Sequence, residues 1–202
     1  MGEPDRALYA RGYRTVCGVD EVGRGALAGP VVAAAVVLPP DCLIEGLDDS
    51  KKLTAGARAR IASIVRAEAV AWAVGSASPE EIDSRNILRA TFLAMERALA
   101  ALTVRPDFLL VDGNQRLPLE LPQSTLIGGD SLSAAIAAAS NVAKVHRNAL
   151  MEEYGRRFPG YGFECHDGYG TAAHRQALER LGPCPIHRKT FLPATGRQLS
   201  LL

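Results

Sequence analysis

The sequence predicts an α/β fold, a mixed β-sheet with helices on its faces. Two strand-like apolar segments lie next to each other early in the chain, and a third follows. Beyond them, strand segments alternate with helical ones. Acidic residues stand at the ends of two of the apolar segments, which points to the strand ends as the place of the chemistry.

The first strand is Thr15-Val-Cys-Gly-Val19, ending at Asp20-Glu21, and glycine-rich turns follow at Gly23-Arg24-Gly25 and Gly29-Pro30. Val31 to Leu38 hardly alternates, so it reads as a strand buried on both faces, and Pro39-Pro40 stops it. Ser50-Lys-Lys-Leu-Thr54 leads into a helix over Ala55 to Ala69 with Thr54 as its N-cap. Val70 to Ser76 is a third strand. Ser78, Pro79 and Glu81 form the signature of a capping box with proline in the first turn. Ile87 to Leu102 has amphipathic helical periodicity. Phe108 to Val111 is a short strand ending at Asp112-Gly113, and a segment around Ser124 to Ile127 precedes Gly128-Gly129-Asp130. Ser131 to Tyr154 reads as a long alanine-rich helix, broken at Pro159, and Thr171 to Leu181 as another.

The bulk numbers exclude several classes. With 202 residues, 48% hydrophobic and 22% charged, the chain can bury a core without disulfide staples. Its four cysteines are far apart and form no C-x-x-C pair, which argues against a zinc site and fits a reducing compartment. The first fifteen residues are charged and hold no apolar stretch, and the longest apolar run is too short to span a bilayer. A cytoplasmic protein without membrane contact is expected. Net charge is only +1, which neither supports nor excludes nucleic acid, because metal-binding acids would cancel a basic groove in the sum.

Asp20, Glu21, Asp112 and Asp130 are the candidate catalytic and metal-binding set. A carboxylate at the end of a buried strand is costly unless exposed, paired or metal-bound. Oxygen ligands suit magnesium, and two divalent ions about 4 Å apart can activate water and stabilise the leaving oxygen of a phosphodiester. Adjacent strand residues point to opposite faces, so Glu21 is expected beyond the regular strand, in the glycine-rich turn. Crowded carboxylates should raise one another's pKa values. Helix capping is the alternative role for Asp130, which precedes Ser131 and Ser133.

Around these acids, Gly23-Arg24-Gly25 is either a simple turn or a place where backbone approaches a ligand closely. Tyr169 is a core or surface aromatic, or a stacking partner for a sugar or base. Lys144 and Arg147 share one helix face, which is either solvated or in contact with phosphate.

Taken together, Val19-Asp-Glu-Val-Gly-Arg-Gly25, Asp49-Ser-Lys-Lys-Leu53, Val111-Asp-Gly113, Gly129-Asp-Ser131, Ala138-Ala-Ser-Asn-Val-Ala-Lys144 and Gly168-Tyr-Gly-Thr171 resemble bacterial ribonuclease HII. They do so in order and spacing, from about Cys17 to Phe191. The resemblance implies a ribonuclease H-like catalytic domain over residues 1–157, with a five-stranded mixed sheet. A helical C-terminal part over 158–193 would complete the substrate groove, and 194–202 would be a tail. It implies a monomeric endoribonuclease that cuts on the 5′ side of a ribonucleotide in RNA/DNA hybrids or in duplex DNA carrying ribonucleotides. Two ions, Mg2+ or Mn2+, would serve it, leaving 3′-OH and 5′-phosphate, in a role of ribonucleotide removal from DNA. Carried over, Asp20 would bridge the metals, with Asp130 on the nucleophile side and Glu21 and Asp112 on the leaving-group side. The backbone of Gly23, Arg24 and Gly25 would read the 2′-hydroxyl and adjacent phosphate. Tyr169 would stack on the following sugar, and Ser50, Lys51, Lys52, Lys144 and Arg147 would contact substrate.

The chain departs from the family pattern in three places. Asn148 stands where aspartate is usual, Asn141 where an apolar residue is usual, and Asp167 where lysine is common. None touches the four carboxylates, so activity is expected to survive, while Asp167 beside Tyr169 is expected to weaken substrate binding. At the end of the chain, Gln198-Leu-Ser-Leu-Leu202 resembles the short peptide by which bacterial replication and repair proteins bind the sliding clamp. Gln198, Leu199, Leu201 and Leu202 would make the contact, the alternative being a frayed tail. The rival readings are a junction resolvase, which shares the carboxylates alone, and a nucleic-acid-binding protein without catalysis.

Overall fold

The computed structural model describes residues 2–40, 42–47 and 54–192. Its elements are α1 (Glu3–Ala10), β1 (Val16–Val22), β2 (Val31–Val37), α2 (Ala55–Glu68), β3 (Ala71–Ala77), α3 (Pro79–Arg85), α4 (Ile87–Ala100), β4 (Phe108–Asp112) and β5 (Gln123–Leu126). A single 3-10 turn at Gly129–Ser131 leads to α5 (Ala134–Arg157), α6 (Phe163–His166) and α7 (Ala172–Leu181), and a last 3-10 turn spans Lys189–Phe191.

The five strands form one mixed sheet in the order β3-β2-β1-β4-β5. β1 pairs antiparallel with β2 and parallel with β4, so the strand that ends in two acids runs through the middle. β2 shows why its sequence does not alternate: all seven residues are buried. Val31, Ala33, Ala35 and Val37 pack toward α4 with Cys17 and Val19, while Val32, Ala34 and Val36 pack toward α2 and α5.

The helix starts follow their caps. Thr54 Oγ1 accepts from the Ala57 amide, and Ser78 forms the complete capping box with Glu81. α5 begins three residues later than its composition suggests. Ser133 caps it, accepting from the Ile136 amide at 3.3 Å, and a second cap comes from far away. Asp5 is buried and accepts from Ser133 Oγ at 3.0 Å and from the Ala134 and Ala135 amides at 3.2 and 3.1 Å. A carboxylate there suits the positive end of a 24-residue helix. α1, which presents Asp5, escaped the sequence reading despite Pro4 and two acids in its first turn. Among the described residues no helix is long and apolar enough to cross a membrane.

Residues 158–192 return to the loop between β1 and β2. The Leu27 amide donates to Gly168 O, Gly29 to Ile186 O, and Arg188 to Leu27 O, each at 2.9 Å. Behind this seam, Tyr161, Phe163, Leu178 and Ile186 form a small core with Met151. Two buried histidines sit in it, with His174 Nε2 and His187 Nε2 hydrogen-bonded at 3.0 Å. His174 Nδ1 lies 3.0 Å from Tyr169 O, and His187 Nδ1 accepts from the Cys184 amide at 2.9 Å. Burial pushes both rings down, His187 to about 4. Lowered pKa values mean that the folded state binds fewer protons than the unfolded chain below about pH 6.5, so stability falls as pH drops from there toward 4. The expected loss by pH 5 is about 1–2 kcal/mol, visible as a lower urea midpoint with the His187 ring still unprotonated by NMR. An unchanged midpoint between pH 7 and 5 would contradict the neutral pair.

Candidate active site

The sheet explains how the acids meet. Val19 of β1 is in register with Val111 of the parallel β4, so Asp20 and Asp112, one residue further on, stand side by side at the same sheet end. Both border an open recess of about 380 Å³ that Glu21, Ser140, Lys144 and Tyr169 also line, with the Gly23-Arg24-Gly25 loop on its rim. Asp20 is 5% exposed, and its Oδ1 accepts from the Glu21 amide at 2.7 Å. Asp112 Oδ1 accepts from the Gly129 amide at 2.7 Å, which ties β4 to the Gly129–Ser131 turn.

Glu21 corrects an expectation. It does not lie beyond the strand: β1 continues to Val22, with Glu21 opposite Ala33. The alternation argument holds, but the recess lies over the strand end, where both side chains reach it. Glu21 Oε1 is held by Arg24 Nη1 at 3.2 Å. Burial pushes the Asp20 carboxyl well up, with Glu21 and Asp112 adding to it and a hydrogen bond from Ser140 opposing it. Glu21 is raised too, first by burial, with Arg24 opposing. Desolvation thus outweighs the mutual repulsion that the sequence suggested as the cause.

Asp130 belongs to the turn that Asp112 holds through the Gly129 amide. It is buried in the Gly129–Ser131 turn and lines a neighbouring hollow with Ser131, Ser133 and Ala137 rather than the recess itself. It does not cap α5, a role taken by Ser133 and Asp5. Among the described residues no three of His, Cys, Asp and Glu form a ready-made metal-ligand group.

Arg147 is the second correction. It shares a helix face with Lys144 but is fully buried, so it is not available to a phosphate. Its Nε donates to Pro30 O at 3.1 Å, Nη1 to Asp167 O at 2.9 Å and Nη2 to Ala28 O at 3.2 Å. Helical spacing identifies a face but not what covers it. Lys144 does line the recess, with Nζ 3.8 Å from Asp167 Oδ2 and 5.8 Å from the Tyr169 ring centre. Burial lowers its pKa, and Asp167 opposes that.

Two of the three departures prove to be neighbours. With its amide turned to suit its surroundings, Asn148 donates to Lys144 O at 3.0 Å and to Asp167 Oδ2 at 3.2 Å. Asp167 is therefore engaged by Lys144 and Asn148 beside the recess. Asn141 is buried and donates to Ala137 O at 2.8 Å, but among the described residues its Oδ1 has no partner, and nothing in the structure explains it.

Sequence reasoning passed over Ser140, although it lies four residues before Lys144 and so on the same helix face. Ser50, Lys51 and Lys52, and Gln198, Leu199, Leu201 and Leu202, lie outside the described residues.

The family model for Ribonuclease HII matches residues 17–194. The chain belongs to the ribonuclease HII family. It is similar to the Ribonuclease HII of Syntrophotalea carbinolica, 56% identical over 187 residues that cover 93% of this chain and 90% of that protein. Among solved structures it is similar to the ribonuclease H2 from Pyrococcus horikoshii OT3, with a TM-score of 0.76 at 26% identity, over 92% of this chain and 96% of that one. The RNase HII in the PCNA:RNase HII complex from Archaeoglobus fulgidus superposes with a TM-score of 0.73 at 26% identity, over 90% and 96% of the two chains. Membership makes the protein a type 2 ribonuclease H, a nuclease built on the ribonuclease H-like fold, and the recess at the end of β1 and β4 is its candidate active site.

Proposed function

We propose that this ribonuclease HII acts in the cytoplasm on RNA/DNA hybrids and on duplex DNA with embedded ribonucleotides. It would cut on the 5′ side of the ribonucleotide, leave 3′-OH and 5′-phosphate, and so serve ribonucleotide removal from DNA. One observation carries this reading: the glycine-flanked loop and Tyr169 share a single recess with Asp20, Glu21 and Asp112. A strand seated there would meet backbone that can sense a 2′-hydroxyl and acids that can act on the adjoining phosphodiester.

Three carboxylates lining one recess, one of them buried against its own preference for water, fit a hard divalent cation such as Mg2+ or Mn2+. Asp20, Glu21 and Asp112 would hold the metal, with Asp130 proposed as the fourth ligand. Two such ions would supply an activated water and stabilisation of the leaving oxygen. The protein's own groups prepare the site. Ser140 hydrogen-bonds Asp20, the Gly129 amide fixes Asp112, and Arg24 holds Glu21 until substrate or metal replaces it. Lys144 brings positive charge to the recess, and Tyr169, flanked by Lys144 and Arg147, offers a ring for stacking on a sugar.

The test is a DNA duplex with one internal ribonucleotide beside an all-RNA/DNA hybrid, each with Mg2+ and with Mn2+, for the wild type and for Gly25→Ala. A methyl group at Gly25 meets open space, so the variant should keep its thermal midpoint. It should nonetheless lose about tenfold or more in cleavage at the single ribonucleotide, because the loop must approach substrate closely. Undiminished cleavage by Gly25→Ala would remove the loop from substrate recognition, and no cleavage by the wild type with either metal would sink the whole proposal.

We further propose that the tail binds the sliding clamp, supported by its sequence and by the similar RNase HII of Archaeoglobus fulgidus, whose structure is that of a complex with PCNA. Deleting residues 197–202 should abolish clamp affinity; retained affinity would refute it.

A further inference from the structure

Arg188 is fully buried, and among the described residues every hydrogen bond of its guanidinium goes to backbone. Nε donates to Gly29 O at 3.0 Å, Nη1 to Arg24 O at 2.8 Å and Nη2 to Gly23 O at 2.6 Å. Carbonyls carry no net charge, so they compensate a buried cation only in part, and burial brings its pKa down to about 10. A side chain kept there at such a cost asks for a reason beyond filling space.

Peptide geometry supplies one. In a trans peptide the C=O and the following N–H point in opposite directions, and no cis peptide occurs among the described residues. The carbonyls of Gly23 and Arg24 are both drawn inward to Arg188. The N–H groups of Arg24 and Gly25 belong to those same two peptide units, so they face away from Arg188, and both residues line the recess. The loop is also gripped from within at Gly23, where φ is +90° and an added Cβ would fall on the Arg147 guanidinium. On the outside, Gly25 opens onto free space.

We propose that Arg188 is a positioning residue for substrate selection: by holding the Gly23 and Arg24 carbonyls inward, it presents the Arg24 and Gly25 amides as a donor pair to an oxygen of the ribonucleotide. The inference rests on the loop's role proposed above and adds the residue that sets its orientation. A planar fork suits the task because its separate N–H groups reach several carbonyls at once, which a lysine ammonium cannot reproduce in the same geometry.

The experiment uses the full-length 15N-labelled protein and duplexes with and without one ribonucleotide, bound in the presence of a chelator so that no cleavage intervenes. In the wild type, the Arg24 and Gly25 amides should exchange rapidly with water while free. Their resonances should move with the ribonucleotide duplex and far less with the all-DNA duplex. Arg188→Lys, checked for folding by its thermal midpoint, should show displaced resonances for these two amides even without duplex. It should also lose about tenfold or more of the preference for the ribonucleotide duplex, with affinity for all-DNA duplex unchanged. Merely tethering the C-terminal part to the loop would not alter that preference while leaving all-DNA affinity intact.

An Arg188→Lys protein with wild-type amide resonances and wild-type preference would overturn the positioning role. Slow exchange of both amides in the free wild type would overturn it too, whatever the variant does, since they would then face inward. Equal wild-type responses to the two duplexes would instead defeat the loop's assigned role, and the variant's free-state resonances would still decide whether Arg188 orients it.

Discussion

Asp20→Asn should abolish cleavage and at the same time make the metal-free protein more stable. Asp20 is the most confined of the recess acids, at 5% exposure, and burial, Glu21 and Asp112 all oppose its charge. Asparagine keeps the size and an oxygen for the Glu21 amide while removing a buried negative charge from beside two others. Relief of about 1 kcal/mol corresponds, for a chain of this length, to a thermal midpoint about 2–4 °C higher. The same change removes a carboxylate from the proposed metal site, and activity should fall by about a thousandfold or more. Mg2+ should raise the wild-type midpoint and leave the variant's nearly unmoved, since a ligand stabilises only the form that binds it. A variant with near-normal turnover, or one markedly less stable than the wild type in chelator, would refute this account of Asp20.

Gly18→Ala should be the costliest small substitution near the site. Gly18 lies in β1 two residues before Asp20, on the face covered by α5. A Cβ there would fall on the Ala135 carbonyl group and the Ile136 amide, which are helix backbone and cannot swing aside as a side-chain tip can. Either the helix moves off the sheet or the strand bends, at about 3–5 kcal/mol and a midpoint drop of about 10 °C. Any folded fraction should also cleave poorly, because α5 brings Ser140 and Lys144 to the acid cluster. A midpoint within about 2 °C of the wild type, below what 1 kcal/mol would produce, would show that the close approach is not needed.

What the sequence revealed follows from which interactions are local. The capping box at Ser78 and Glu81 needs only neighbouring residues, and it formed as expected. The unalternating Val31 to Val37 segment announced a strand covered on both faces, because burial on each side leaves no position for a polar residue. Glu21 was misplaced because pairing with Ala33 carries the strand past the point where its composition turns polar. Asp5 capping α5 joins residues about 130 apart, and the chain around Asp5 carries no sign of it. Arg147 and Arg188 were opaque for the same reason. Arginine ordinarily marks a surface, and only the carbonyls of the β1–β2 loop, distant in sequence, explain why these two are inside. The acid cluster was legible in part. The motifs pointed to Asp20, Glu21 and Asp112, which the structure gathers, whereas Asp130 occupies the adjoining turn.

The seam between the β1–β2 loop and the end of the chain also bears on how the protein is made. Arg188 meets Gly23 across 165 positions, so the loop's carbonyls find their partner only after residue 188 has been made. Asp20, Glu21 and Asp112 leave the ribosome long before that, and the strands that align them end with β5, with α5 following to cover one face of the sheet. A nascent chain therefore carries its acids and their strands before the residue proposed to orient the loop exists. On the proposed role of Arg188, discrimination is acquired after the acids are in place, and truncation anywhere before residue 188 removes it.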